Sequence, residues 1–89
     1  MSDNEKNQAI IDELTVAYWA EIETVLNYIA NSIDLDGVRA EEIKQSLTAD
    51  VQEELTHAQT LGNRIKTLGG SVPGSRGFEA TQHTLQPPS

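Results

Sequence analysis

The sequence contains no cysteine, which excludes disulfides and thiolate metal sites and leaves oxygen and nitrogen to hold any metal. Basic residues are also scarce. Six Lys and Arg stand against fourteen Asp and Glu, for a net charge of -8, a balance that disfavours phosphate backbones and anionic membrane surfaces. No apolar run reaches the roughly 18 residues of a membrane-spanning helix. The start, MSDNEKNQ, is polar and acidic and lacks the basic-then-apolar pattern of a signal peptide. Neither nucleic acid nor membrane is expected as a partner, and the cytoplasm is the expected location. At 89 residues the chain makes one small domain, which buries a smaller share of its surface than an average domain and gains from a partner.

Pro and Gly are absent from Asn4 to about Ser32, and apolar residues there recur at three- and four-residue steps, which predicts one long amphipathic helix. Asp34-Leu35-Asp36-Gly37 supplies turn chemistry, with Asp36 placed to cap the next helix. That helix should run from about Val38 to Leu68, tolerate Gly62 in its interior, and close at Gly69-Gly70, where a residue without Cβ takes the left-handed conformation. Beyond Ser71 the composition shifts to Pro73, Gly74, Ser75, Gly77, Pro87 and Pro88, so no regular structure is expected. The expected organisation is a helical hairpin over residues 4–70 and a tail or connector over 71–89. The fold class is all-α.

Charge placement carries the chemistry. At 100° per residue, Glu21 falls on one broad arc with Ile10, Leu14, Ala17, Tyr18, Ile22, Val25, Leu26, Tyr28, Ile29 and Ile33, and it is the only charged side chain there. Asp12, Glu13 and Glu23 point toward the other side, as a solvated face requires. On the second helix, Ala40, Ile43, Leu47, Val51, Ala58, Leu61, Ile65 and Leu68 form a stripe about 120° wide, interrupted by Asp50, Glu54 and His57. Glu41, Glu42, Lys44, Glu53 and Lys66 lie outside it. At about 1.5 Å per residue, Glu21 is roughly 18 Å below Ile33 and Glu54 roughly 22 Å beyond Arg39, so an antiparallel hairpin brings Glu21 level with Glu54 and His57.

Burying unpaired carboxylates costs several kcal/mol each unless protonation, a cation or a metal compensates. The Lys and Arg residues lie off the inner faces or near chain ends, with Arg64 at a stripe edge. A multivalent metal resolves the conflict. Residues three apart share one helix face, so the carboxylate and imidazole of Glu54-x-x-His57 can reach one ion together. Di-iron carboxylate bundles use one Glu from each of two helices and a Glu-x-x-His pair from each of the other two. Glu21, Glu54 and His57 are half of that inventory, and a two-fold axis between two hairpins supplies the rest. The expected assembly is therefore a homodimer, or a higher homo-oligomer, in which two hairpins form a four-helix bundle.

Glu21-x6-Tyr28 followed by Glu54-Leu55-Thr56-His57 resembles the ferritin superfamily, especially the first helical hairpin of bacterioferritin-like proteins. The resemblance covers most of the chain. It implies Glu21 as a terminal metal ligand, Glu54 as a bridging ligand, His57 as a terminal ligand and Tyr28 as a catalytic residue beside the site. It implies ferroxidase chemistry, in which two Fe(II) ions are oxidised by dioxygen or peroxide, with Mn or Zn as substitutes in a di-iron site. The residue after the bridging Glu, a haem-ligating Met in bacterioferritins, is Leu55 here, and the only Met is Met1, so haem is not expected. The tail resembles the start of the crossover that joins the two hairpins of familiar ferritins. It does not resemble the signal that directs small two-helix ferritins into encapsulin shells.

Each feature also has a plainer explanation. Glu-x-x-His is common on acidic helices, and its weight here comes from Glu21 at matching height. Asp50 suits a hydrogen bond that steadies a ligand, or an ordinary helix-end or solvent contact, equally. Tyr28 also fits as a core tyrosine with a hydrogen-bond partner. Tyr18 and Trp19 read as packing residues, and His83 as a surface histidine. The rival function is a non-catalytic helical dimerisation module without metal, which accounts for the fold but poorly for the convergence of Glu21, Glu54 and His57.

Overall fold

A computed structural model describes residues 3–35, 37 and 39–87. Two helices, α1 (Asp3–Asp34) and α2 (Ala40–Thr67), pack as an antiparallel hairpin, and one short 3-10 turn follows at His83–Leu85. No strand occurs among the described residues, and the all-α expectation holds. Helix α1 runs a little further at both ends than its pattern predicts, because nothing in Asp3 or Asp34 breaks the hydrogen-bond ladder. Helix α2 starts later than expected, with Arg39 at its N-cap and no side-chain cap. Asp36, the expected cap, and Val38 lie outside the described residues.

The end of α2 has a clear local cause. Gly70 N–H donates to the Ile65 carbonyl and Gly69 N–H to the Lys66 carbonyl, each at 3.0 Å, which closes the helix as a Schellman motif. Gly69 takes a φ of +92°, a conformation that a Cβ would strain. At Gly70 the constraint is contact instead. A Cβ there would sit 3.0 Å from Ile65 Cγ2 and 3.1 Å from Ile11, so the backbone seals the open end of the hairpin against its core.

That core is thin. Ile11, Val25, Ala40, Ala58 and Ile65 are buried, Ile65 completely. Ile10, Leu26, Ile29, Ile33 and Ile43, all on the arcs predicted to face inward, remain exposed, with Ile33 at 71%. Apolar side chains left open at helical spacing make the kind of surface that other chains cover.

Residues 71–87 carry no regular structure beyond the 3-10 turn at His83–Leu85, yet they are packed onto the hairpin. They form a strap that runs along α1 in the same direction as the helix. Trp19 Nε1 donates to the Gly74 carbonyl at 2.7 Å, Gln82 Nε2 donates to the Ala20 carbonyl at 3.0 Å, and Asn31 Nδ2 donates to the Leu85 carbonyl at 2.8 Å. Phe78 meets the Trp19 ring edge to face at 6.5 Å.

The strap also corrects the placement of Glu23. Its side chain is not solvated but buried, with 3% of its surface exposed. Thr81 N–H lies 3.0 Å from both carboxylate oxygens, Gln82 N–H donates to Oε2 at 2.9 Å, and the Thr81 hydroxyl donates to Oε1 at 3.2 Å. Burial pushes the Glu23 carboxyl up, but these backbone and hydroxyl donors, with His83 nearby, outweigh it and hold the group below the ordinary carboxylate value.

Candidate metal centre

Antiparallel packing brings Glu21 of α1 beside Glu54 and His57 of α2. One ligand atom from each of the three lies within 4.8 Å of the others. Two ligands of one ion at about 2.1 Å are at most about 4 Å apart, so a small side-chain adjustment suffices to close the group. Glu54 is partly buried, and the His57 side chain is 49% exposed.

Glu21 carries the most informative atom. Its side chain is 26% exposed, yet Oε2 is buried and has no hydrogen-bond partner. His57 Nδ1 lies 3.7 Å from it, too long for a hydrogen bond. A buried acceptor with nothing to accept from is costly and marks a place suited to a cation or to a donor from a partner.

The donor set fits a first-row metal. Carboxylates and imidazole suit Fe, Mn and Zn, and carboxylates stabilise the higher charge of an oxidised ion. Three donors do not complete a coordination sphere. Asp50, also partly buried, stands one turn before Glu54 and outside the trio. Tyr28 is partly buried two turns beyond Glu21 on α1. His83 sits in the 3-10 turn of the strap, exposed and on another face.

Two contacts escaped sequence reasoning, one beside the site and one on the opposite face of α1. His57 Nε2 lies 4.0 Å from Glu53 Oε1, a residue that falls outside the apolar stripe. The other is the Glu23 cradle, for which the sequence carried no local signal, since its partners follow it by more than fifty residues.

The helical hairpin brings one carboxylate from its first helix together with a carboxylate and an imidazole from its second. A family model described as Ferritin-like domain matches residues 11–87, and the chain belongs to that family. Its members generally bind iron and typically oligomerise. Comparison with curated proteins and with solved structures gives no match. No helix among the described residues is long and apolar enough to cross a membrane.

Proposed function

We propose that this chain is an iron-handling protein of the ferroxidase type, in which two copies of the hairpin form a four-helix bundle around a di-iron site. The observation that carries the reading is the buried, unpartnered Glu21 Oε2 within a three-residue group of metal-ligating side chains. Glu21 and His57 would hold the metal as terminal ligands and Glu54 as the bridging one. Two bound Fe(II) would supply one electron each, reducing dioxygen with two protons to hydrogen peroxide, or hydrogen peroxide with two protons to water. The carboxylates offset the charge gained by each ion, and the neutral imidazole fills a ligand place without adding charge. Tyr28 serves as the phenol beside the site, able to donate a hydrogen bond or an electron. Residues 71–87, whose Gly and Pro content suits a connector, act as the tail that braces α1 while leaving the ligand face open.

The dimer follows from need on two counts. One chain holds half the ligands of a di-iron bundle, and its exposed row of Leu26, Ile29 and Ile33 lacks a cover. Anaerobic Fe(II) titration tests the reading. Saturation near about two Fe(II) per pair of chains, lost in Glu54→Ala, is the expected result. No binding by the parent protein leaves the hairpin as a helical dimerisation module without metal.

A further inference from the structure

His57 stands between two carboxylates. Its Nδ1 is 3.7 Å from Glu21 Oε2 across the helix pair, and its Nε2 is 4.0 Å from Glu53 Oε1, one turn back along α2. The nitrogens of a neutral imidazole are not equivalent, because one carries the proton and the other offers a lone pair. The hydrogen bond made by the protonated nitrogen decides which one is free.

We propose that Glu53 is a positioning residue for the metal centre: it accepts a hydrogen bond from Nε2–H of His57 and thereby presents the bare Nδ1 toward Glu21 and Glu54. The inference rests on the metal reading above. A histidine bound to a metal almost always donates its other ring N–H to a carboxylate, a backbone carbonyl or water, which fixes both tautomer and ring orientation. Glu53 occupies the place where such an acceptor must sit, on the side of the ring away from Glu21.

The geometry needs one small movement. At 4.0 Å the Glu53–His57 contact is longer than the roughly 2.7–3.2 Å of a hydrogen bond. Both side chains are exposed, Glu53 at 67%, so rotation of the Glu53 side chain is unhindered by packing. The spacing of four residues puts the two on neighbouring turns of one helix face. Glu53 and Glu54 then divide the labour of adjacent carboxylates, since their directions differ by about 100°. Glu54 reaches the ligand group and Glu53 flanks the imidazole from the solvent side.

The test combines nitrogen-15 NMR of the imidazoles with Co(II) binding, both on the full chain. His57 is distinguished from His83 by comparison with His83→Asn. In metal-free protein with neutral imidazole, His57 should favour the Nε2–H tautomer, and Glu53→Ala should move it toward a mixture. Co(II) affinity should fall about tenfold in Glu53→Ala with helicity unchanged, and Glu53→Gln, which keeps an acceptor oxygen, should restore most of it. A parent protein that binds Co(II), with Glu53→Ala matching it in tautomer and affinity, overturns the role of Glu53 alone. A parent protein that binds Co(II) no better than Glu54→Ala overturns the metal reading and this role with it.

Discussion

Glu21 and His57 face each other across the hairpin, Oε2 to Nδ1 at 3.7 Å, with the carboxylate oxygen buried and unpartnered. Each comes from a different helix, so their approach depends on the register of the whole pair. Helix length, turn position and the Gly69–Gly70 closure together set that register. The site is thus a property of the hairpin and not of either helix.

Covering the exposed apolar row should govern assembly. In solution the mass should be at least twice the 9.7 kDa of one chain. Ile29→Lys, which places a charge in the middle of the open row of α1, should shift the protein toward monomer in analytical ultracentrifugation. The same variant should lose tight iron binding although Glu21, Glu54 and His57 are intact. A compact monomeric parent protein would contradict the shared site.

The core predicts where truncation hurts. Ile65 is fully buried, so Ile65→Ala should cost about 2–5 kcal/mol in chemical denaturation. Val16, 65% exposed, should tolerate alanine within about 0.5 kcal/mol. Equal effects at both positions would mean that the hairpin core is not where it is placed here.

Gly70 offers a test by addition. An added methyl meets Ile65 and Ile11 at 3.0–3.1 Å, both parts of the core, so Gly70→Ala should destabilise by about 1–3 kcal/mol. Thermal unfolding of that variant against Ser71→Ala, one residue on and exposed, separates crowding from a general effect of the tail.

Acid should release the strap. The Glu23 carboxyl is held below its ordinary value in the folded chain, so its contribution to stability is present above the unfolded-state value. That contribution is lost as pH falls through the lowered folded value. The strap should therefore stay docked at neutral and mildly acid pH and detach only below the usual carboxylate range. Trp19, the one tryptophan, bonds to Gly74 and packs on Phe78, so its fluorescence reports docking. Glu23→Gln should weaken docking at neutral pH and flatten this acid transition; an unchanged transition in that variant would assign it to another group.

Much of this was legible in the residues. The 3.6-residue recurrence of Ile, Leu and Val marked both helices, and the paired glycines marked the end of the second. Counting residues from the turn was enough to set Glu21 level with Glu54 and His57, because a helix converts sequence distance into height at a fixed rate. Glu23 shows where such reading stops. It lies about 200° around α1 from Glu21, on the face opposite the site, and periodicity assigns that face to water. The strap covers it instead, through backbone donors of Thr81 and Gln82 whose approach depends on tertiary folding rather than on any local pattern. The Glu53 contact to His57 was missed for a different reason: its four-residue spacing is a local signal, but the apolar stripe reports only what faces the core and not what flanks a ligand from outside.

The most direct test of the account is anomalous diffraction at the iron edge from crystals of iron-loaded protein. Iron peaks bound by Glu21, Glu54 and His57 from two copies of the chain are the expected result. Crystals grown with excess Fe(II) that show no peak at these residues, with the Glu21 and Glu54 carboxylates turned into solvent on separate faces, would contradict it.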